Sequence, residues 1–329
     1  KFLDQLTVEQ LCNTVTDSKS TNTISTLDVP GNTKGDDDTN AAGGAIQFVS
    51  HPLTARTWNT DMNEKRGLYE GLICTLNGKD EIWYGAGNLH RHPYGGRAGQ
   101  YWSEDATLDY YNGYYEAQAA QSVGCITCVK HMACNDQEAK RTGLSVFVDE
   151  QALREIYLRA FEGAFDGGAL SVMTTTGRIG TRLGKNYSAL LTTVLRDEWG
   201  FQGHVTSDGY VNTGYYNNTL EELEAGMDYS CCDSAGSNAQ RILNAIKAGD
   251  GNMLKQVRRA AKNNLYVMTK TASMNGLGNG SAVVAIVPAW EMAVAVTNIV
   301  VAVLLAACLI MTVVQTRKNG KTKKEEIEA

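Results

Sequence analysis

The sequence has no large excess of charge of either sign. Its 329 residues contain 30 Lys and Arg against 36 Asp and Glu, which gives a formal charge of −6. The basic residues are scattered apart from one cluster at the C-terminus, whereas nucleic-acid-binding domains gather them on one face. Nucleic acid is therefore not expected as a partner. With 43% hydrophobic residues, the chain suits a globular protein of one large domain or two ordinary ones.

The motifs of several well-known active sites are also missing. The chain has no GxSxG sequence, which argues against a serine-hydrolase nucleophile elbow. The glycines at 85–87 lack the third glycine of a dinucleotide-binding loop. The CxxC pair Cys125 and Cys128 has no second pair to complete a zinc site, and it lies in a strand-like run where cysteine is an ordinary core residue. We expect neither a metal nor a cofactor.

One long hydrophobic run is present near the C-terminus. Residues 292–314 are 23 residues without a charge, and about 20 apolar residues can cross a bilayer as a helix. Trp290 precedes the run, and the basic stretch RKNGKTKK follows it at 317–324. This pattern predicts a single transmembrane helix over residues 290–315, in contact with the lipid bilayer of the cell membrane. By the positive-inside rule, the tail at 316–329 is cytoplasmic and the rest of the protein is extracellular.

Before this run, helical and strand-like patterns alternate. Helices are predicted near residues 62–76, 105–122, 149–165, 187–199, 219–227, 239–248 and 252–273, and strands near 81–87, 125–129, 169–173 and 204–207. Repeated strand–helix units predict an α/β fold with a parallel sheet. Over about 270 residues, this fits a TIM-like (β/α)-barrel, irregular or short of eight full units. We expect the barrel at 1–274 and a linker at 275–289.

Asp208 follows the last predicted strand and precedes Gly209, so it is either a turn former or a reactive carboxylate. Polar side chains also follow the other strands: Asn88, His90, Arg91, His92, Lys130, His131, Thr174–Thr176 and Arg178. In a (β/α)-barrel, all these strand ends meet at one face. Such donors suit a polyhydroxylated ligand, and Lys130 and Arg91 would keep Asp208 ionised. A carboxylate can attack an anomeric carbon when a second carboxyl, about 5–5.5 Å away, supplies the proton.

Several stretches are similar to glycoside hydrolase family 3. The sequence GNLHRHPYGGRAGQYWSEDA at 87–106 resembles the family segment GxNIHRxPxxGRNFEYxSEDP, and KHMACNDQEAKR at 130–141 resembles KHFAxNDQExNR. The stretches at 149–180 and 190–210 resemble the segments that follow, and the second of these bears the family's nucleophile. The resemblance covers about residues 1–276 and implies a β-glucosidase-like enzyme with a (β/α)-barrel domain.

Carried over by position, the resemblance implies a role for each of five residues. Asp208 would be the nucleophile of a reaction that retains configuration. Arg91, Lys130 and His131 would bind hydroxyl groups of the sugar in the cleavage subsite. Met173 would line the same subsite.

The chain departs from the family pattern in three places. Near the first strand, VPGNTKGDDDTNAAGG at 29–44 replaces a DGPxGxR motif. Asp36 aligns best with the substrate-binding aspartate of that motif, although the Gly-Pro and the Arg are gone. Gln100 stands where Glu is usual, and Thr176-Gly177 replace an aromatic residue and Asn. An aromatic stacking contact with the sugar is lost at the last of these positions.

The proton donor is the larger departure. Most of the family takes its acid/base Glu from an α/β-sandwich domain, and a one-domain branch uses an Asp-x-His loop; this chain contains neither. Some relatives carry the sandwich before the barrel. Because the sequence begins on Lys1 without a signal-peptide pattern, we expect it to be the C-terminal part of a longer protein with an upstream α/β-sandwich domain that supplies the Glu.

Other interpretations of single motifs remain open. His90 and His92 have metal-ligand spacing, but no third ligand is evident and loop packing is favoured. Residues 36–38 are three aspartates that suit either Ca²⁺ or a solvated acidic loop. Asp136 and Glu138 are further carboxyls near the strand ends and can form a local network.

The sequence therefore predicts a retaining, exo-acting glycoside hydrolase that acts on oligosaccharides or glycosides with terminal β-linked sugars. The alternative is a non-catalytic, membrane-anchored carbohydrate-binding protein on a decayed hydrolase barrel. The eroded motif at 29–44 and the missing acid/base residue favour that alternative.

Overall fold

The computed structural model describes residues 1–17, 20–21, 24–27, 29, 32–36, 48–84, 87–209, 218–231, 237–275 and 287–328. The chain forms two compact units, Lys1–Ser281 and Ala282–Ala329.

The first unit is a ring of strands with helices around it. Its strands are β1 (Thr16–Asp17), β2 (Ser20–Thr21), β3 (Asn32–Asp36), β4 (Glu81–Tyr84), β5 (Ile126–Met132), β6 (Ser145–Val146), β7 (Ser171–Thr174), β8 (Arg178–Ile179), β9 (Arg182–Leu183), β10 (His204–Thr206) and β11 (Ser230–Cys231). Its α-helices are α1 (Val8–Thr14), α2 (His51–Ala55), α3 (Thr60–Leu76), α4 (Ala106–Ser122), α5 (Glu150–Ala152), α6 (Arg159–Asp166), α7 (Thr219–Ala225), α8 (Ser237–Lys247) and α9 (Gly251–Met268). π-Helical segments lie at Leu153–Tyr157 and Ala189–Glu198, and 3₁₀ turns at Leu3–Gln5, Ser25–Leu27, Arg141–Gly143 and Gly184–Asn186.

The strand order closes most of a barrel. Strands β10, β7, β5, β4, β3 and β2 pair in that order, and every pair is parallel except β2 with β3. A parallel bridge between Thr206 and Tyr229 continues the series to β11, which pairs with β1. The two ends of the series, β1 and β2, are therefore neighbours in the sequence. This is a TIM-like (β/α)-barrel with one antiparallel strand, so the predicted fold class, including its irregularity, is confirmed.

The helices and strands predicted from periodicity are all present, with boundaries shifted by a few residues. Asp105 and Asp149 act as N-caps: their side chains accept the backbone N–H groups of Leu108 and Ala152 at 2.7 and 2.8 Å. The helices predicted at 149–165 and 187–199 differ from the expectation because both contain π-helical segments. A 3.6-residue period does not reveal these.

Strand side chains alternate between the two faces of the barrel wall. Val129, Val172 and Val205 point outward and pack with Leu158 and Phe161 in the buried layer beneath the helices. Their neighbours point inward. The hydrophobic core therefore lies between the strands and the helices, and the inward positions remain for other chemistry.

The N-terminal ends of the strands hold a buried ionic layer inside the barrel. The Glu81 carboxylate lies 3.4 Å from Lys34 Nζ and 3.2 Å from His204 Nε2, and it accepts hydrogen bonds from Ser171 Oγ and Trp83 Nε1 at 2.7 and 2.8 Å. Burial opposes ionisation, but Lys34 and His204 outweigh it and lower the pKa of Glu81 well below its usual range. The layer therefore contains an ionised carboxylate that depends on its two basic neighbours.

The outer helices approach one another very closely at glycine residues, and two of them show how closely. A Cβ atom added at Gly67 of α3 would overlap the carbonyl oxygen of Glu116 in α4, and one at Gly163 of α6 would overlap that of Tyr110 in α4. Only glycine permits such contact between backbones. Helix α4 is thus fixed on both sides.

The second unit contains one helix, α10 (Ala289–Glu328). Within its segment Ala289–Asn319, an 18-residue window has a mean hydropathy of 2.7, and none of that window is buried. This segment contains the predicted span at 290–315 and is long and apolar enough to cross a membrane. Most of the predicted linker, residues 276–286, lies outside the described residues.

Candidate active site

Asp208 lies just beyond the end of β10, and its side chain is only 14% exposed. Its Oδ2 atom is 3.8 Å from His131 Nε2 and 3.2 Å from Arg141 Nη1, while Oδ1 accepts the N–H of Gly209 at 2.6 Å. The carboxylate therefore faces groups carried by β5 and the loop after it, and does not turn into solvent. The barrel topology places these groups together because parallel strands end at one face.

His131 is buried near the end of β5 and is held neutral. Burial, together with the positive charges of Lys130, Arg97 and Arg141, lowers the pKa of His131 well below its usual range. Its 3.8 Å contact with Asp208 is consequently one between a neutral ring and a carboxylate, not an ion pair. A neutral imidazole has one donor and one acceptor nitrogen, so it can both give and receive a hydrogen bond.

Three polar residues fix the position of His131. The Oδ1 atom of Asn88 accepts the backbone N–H of His131 at 2.7 Å, and the Tyr101 hydroxyl lies 3.3 Å from His131 Nδ1. Asn135 in turn donates to the Tyr101 hydroxyl at 2.8 Å. Asn88 was among the polar residues expected at the strand ends, and it acts there by holding the backbone of β5.

Two arginines that the sequence analysis did not single out lie at the site. Arg97 Nε and Arg141 Nη1 contact the two oxygens of Glu138 at 2.8 and 3.4 Å. Arg97 Nη1 also lies 3.4 Å from His131 Nε2. Glu138 thus sets the direction of two guanidinium groups toward Asp208. Arg97 lies in the stretch 87–106 and Arg141 in the stretch 130–141, so the resemblance of these stretches to the family segments could have indicated both residues.

Arg91 lies elsewhere. Its guanidinium is 5.2 Å from the centre of the Tyr157 ring, and its charge acts on Asp136, whose pKa burial raises to about 6 although Arg91 opposes the shift. Within the described part of the chain, no contact joins Arg91 to Asp208. The expectation that Arg91 would keep Asp208 ionised is therefore corrected: Arg141 is the cation that lies against it.

The remaining predicted residues occupy distinct places. Lys130 is buried in β5, and its carbonyl accepts the N–H of Gly87 at 3.2 Å. Met173 is buried in β7 in one apolar cluster with Trp83 and Tyr229. Asp36 is the last residue of β3, in register with Trp83, but its side chain is outside the described residues, as are residues 37 and 38.

Several buried polar atoms near these strand ends have no hydrogen-bond partner among the residues that the structure describes: Asp208 Oδ2, Arg141 Nη1, Thr174 Oγ1 and Thr176 Oγ1. The 3.2 Å approach of Arg141 to Asp208 brings their charges together without hydrogen-bond alignment. Buried polar groups are nearly always hydrogen-bonded in proteins. These atoms, which belong to a carboxylate, a guanidinium and two hydroxyls, have hydrogen-bonding capacity left for a ligand rich in hydroxyl groups, although Asp208 and Arg141 also attract each other electrostatically.

Among the described residues, one group has metal-ligand geometry, away from Asp208. Ligand atoms of His51, Glu70 and Glu116 lie within 4.8 Å of one another. Arg66 Nε lies between the two carboxylates, 2.8 Å from Glu70 and 3.2 Å from Glu116. The Arg66 guanidinium supplies the positive charge that a metal ion would otherwise supply, so the group is a buried ion-pair network.

The histidines and cysteines considered as metal ligands have other contacts. His90 Nε2 lies 2.7 Å from the carbonyl oxygen of Tyr101, and the His92 ring accepts the N–H of Tyr94 at 3.1 Å, as loop packing requires. Cys125 and Cys128 are fully buried in the barrel wall. Both cysteines are therefore buried, as expected of core residues.

Residues 79–263 match the glycosyl hydrolase family 3 N-terminal domain. The chain belongs to this family. The match contains Asp208, Lys130 and His131 as well as Arg97 and Arg141, whereas Asp36 lies outside it.

Two relatives show how much of a family 3 protein the chain represents. It is 33% identical over 249 residues to a beta-glucosidase of Ruminococcus albus, an alignment that covers 73% of this chain and 26% of that protein. It is 32% identical over 249 residues to an exo-alpha-(1->6)-L-arabinopyranosidase of Bifidobacterium longum, covering 74% and 32%. The chain thus spans about a quarter to a third of the length of these relatives.

The fold is also that of solved family 3 structures. Beta-glucosidase 3B from Thermotoga neapolitana in complex with glucose superposes with a TM-score of 0.76 and 28% sequence identity, and the match covers 84% of this chain and 43% of that one. The fold of this family 3 chain is therefore similar to that of part of a beta-glucosidase whose structure contains glucose.

Proposed function

We propose that this family 3 chain is the barrel of a retaining, exo-acting glycoside hydrolase that cleaves terminal β-linked sugars. The observation that carries the proposal is the Asp208 Oδ2 oxygen, which makes no hydrogen bond to the described residues and faces Arg141 and the neutral His131 at the strand ends. The relatives named beta-glucosidase support the reaction class. The arabinopyranosidase relative shows that the family name alone does not fix the sugar.

In the proposed reaction, Asp208 Oδ2 attacks the anomeric carbon of the bound sugar. The bond from that carbon to the leaving oxygen breaks with its electron pair, and an acid protonates the leaving oxygen. Water, activated by the same group as a base, then cleaves the ester between Asp208 and the sugar and restores the carboxylate. Lys130, His131 and Arg97 would bind sugar hydroxyls, and Met173 would line the subsite.

The acid/base residue is proposed to be a Glu of an upstream α/β-sandwich domain. Asp36 would bind the sugar from the end of β3, which β4 separates from β5 and its Lys130 in the barrel order. The neutral state of His131 suits this site, because an imidazole that titrated near neutral pH would change its hydrogen bonds to the sugar with pH.

Covalent trapping tests the proposal. An aryl 2-deoxy-2-fluoro-β-glucoside has a good leaving group that needs little acid assistance, and its fluorine slows hydrolysis of the adduct. We expect mass spectrometry to find one sugar attached to the peptide that contains Asp208. When an ordinary aryl β-glucoside is hydrolysed, NMR should show the β anomer of glucose as the first product, because the reaction retains configuration. Sugar binding with neither an adduct nor turnover would favour the alternative, a carbohydrate-binding protein on a decayed barrel, which the changed segment at 29–44 supports.

Arg97 and Arg91 lie in the same loop, and we expect only Arg97 to contribute to catalysis. We expect Arg97→Ala to lower kcat/KM for an aryl β-glucoside about 10- to 100-fold, because it removes a charged hydrogen bond at the site. Arg91→Ala, in the same loop but against Tyr157, should change kcat/KM by less than about threefold. Steady-state kinetics on both variants, with thermal unfolding as the control for folding, makes the comparison. A larger loss from Arg91→Ala would contradict the assignment.

We further propose that α10 anchors the protein in the cell membrane as a single span over residues 290–315. The barrel at 1–274 and the linker at 275–289 would be extracellular, and the tail at 316–329 cytoplasmic. The support is an exposed apolar helix followed by basic residues. The test is whether the chain resists alkaline extraction from membranes and whether an antibody to a C-terminal tag binds only after cells are permeabilised.

A further inference from the structure

The two partners of the Asn135 side chain fix the orientation of its amide. The nitrogen Nδ2 lies 2.8 Å from Glu138 Oε1 and 2.8 Å from the Tyr101 hydroxyl. Glu138 is paired with Arg97 and Arg141, so its carboxylate accepts hydrogen bonds and donates none. The atom that faces Glu138 is therefore the NH₂ group of Asn135, and the same group donates to Tyr101.

The direction of the Tyr101 hydroxyl hydrogen follows from this contact. Because the Tyr101 oxygen accepts a hydrogen from Asn135, its own hydrogen must point to another atom. Tyr101 is only 3% exposed, and a buried hydroxyl without an acceptor is costly. Among the described residues, the acceptor within reach of this hydroxyl is Nδ1 of His131, at 3.3 Å. Tyr101 therefore donates to His131.

The position of the hydrogen on His131 follows in turn. Burial and the surrounding positive charges hold the pKa of His131 well below its usual range, so the ring is neutral and carries one hydrogen. When Nδ1 accepts from Tyr101, that hydrogen is on Nε2. The opposite tautomer would let Nε2 accept from Arg97 Nη1, 3.4 Å away, but would leave the Tyr101 hydroxyl without an acceptor. Arg97 does not depend on His131, because it is 21% exposed and also binds Glu138 and Gln100.

The Nε2–H tautomer is the one that suits the neighbouring carboxylate. Asp208 Oδ2 lies 3.8 Å from His131 Nε2, which is too far for a direct hydrogen bond. One hydroxyl oxygen can bridge this separation at about 2.8–2.9 Å from each atom. It would accept from His131 and donate to Asp208. In the opposite tautomer both atoms would be acceptors, and a hydroxyl has only one hydrogen to give.

We propose that Tyr101 and Asn135 are positioning residues that fix His131 as its Nε2–H tautomer, so that His131 donates to a sugar hydroxyl whose own hydrogen goes to Asp208. Both residues act through His131. The tautomer is a property of the ligand-free protein, whereas its role in binding the sugar rests on the proposed glycosidase function.

Nitrogen-15 NMR of the ligand-free protein tests the tautomer. The full chain, labelled in its imidazole rings and held in detergent micelles at neutral pH, contains five histidines. His131→Gln identifies the His131 signals by their loss. A ring nitrogen that carries hydrogen resonates far upfield of one that does not, and we expect Nε2 of His131 to be the upfield nitrogen. Hydrogen on Nδ1 of the wild-type protein would overturn the proposal.

Tyr101→Phe tests whether Tyr101 fixes the tautomer. Nδ1 loses its donor in this variant while Arg97 still favours the other form, so both His131 signals should move toward the average of the two tautomers. Unchanged His131 signals would contradict the positioning role. Tyr110→Phe is the matched control, because it removes a hydroxyl that donates to Asp166 at 2.6 Å away from the site. It should leave the His131 signals unchanged.

Kinetics shows whether the tautomer is used. Tyr101→Phe should lower kcat/KM for an aryl β-glucoside about tenfold, whereas Tyr110→Phe should leave it unchanged, with thermal unfolding as the control for folding. Turnover by Tyr101→Phe at the wild-type rate would overturn the role of the tautomer in the reaction. A wild-type chain without turnover would remove the proposed glycosidase function, and the NMR spectrum would still decide the tautomer.

Discussion

Asp208→Ala should lower kcat/KM for an activated aryl β-glucoside by at least about 10⁴-fold. Without the carboxylate, no covalent bond to the anomeric carbon can form, and the first chemical step is lost for every leaving group. The fold should survive, because Asp208 follows the end of β10 and makes no strand hydrogen bond with its side chain. Circular dichroism and thermal unfolding of the variant check this.

Two controls sharpen the Asp208 experiment. Azide should restore turnover of Asp208→Ala, because a small anion can occupy the space of the carboxylate and attack from the same side. The product would then be the α-glycosyl azide, of inverted configuration. Asp197→Asn removes an exposed carboxylate from the preceding helix and should leave kcat/KM unchanged. Turnover by Asp208→Ala at the wild-type rate, without azide, would show that this residue is not the nucleophile.

Glu81→Gln should destabilise the barrel by roughly 3–5 kcal/mol, because it leaves Lys34 buried without its carboxylate partner. For a domain of this size, that corresponds to a fall of about 10 °C in the thermal unfolding temperature. Glu64→Gln, at an exposed position of α3, is the matched control and should change the temperature by no more than about 2 °C. Equal unfolding temperatures for the two variants would contradict the importance of the ionic layer.

The difference between wild type and Glu81→Gln should also depend on pH. Lys34 and His204 hold the folded-state pKa of Glu81 below its value in the unfolded chain, against the effect of burial. Its contribution is therefore complete above the unfolded-state pKa of about 4.3 and declines as the pH falls toward the folded-state value. The unfolding temperatures of the two proteins should converge below about pH 4.3. A gap that widened in acid would indicate that Glu81 is protonated in the folded protein.

The parts of the fold that sequence analysis found are the long ones. Helices such as α3 and α9 repeat their apolar residues over several turns, and β5 is a seven-residue strand that follows the Gly124 break. The first strands were missed because β1 and β2 have two residues each. A two-residue strand shows no alternation, and its pairing partner is set by the closure of the barrel.

The candidate site was predictable to the extent that it follows from strand ends. Asp208 and His131 meet because each lies where a parallel strand finishes, and that position can be counted along the sequence. The choice of Arg97 over Arg91 could not be made in that way. It is decided by Glu138, which lies 41 residues beyond Arg97 in the chain. Glu138 binds the Arg97 guanidinium and directs it toward the site.

The two glycine contacts of α4 have a consequence for evolution and engineering of this protein. Outer helices of a barrel normally accept many substitutions, because their exposed sides face water. Here the backbone of α4 touches α3 at Gly67 and α6 at Gly163, so even a methyl group at either position would push α4 away from its neighbour. A library of random variants should therefore be depleted of changes at these two positions as strongly as at Asp208, although neither glycine carries any chemistry.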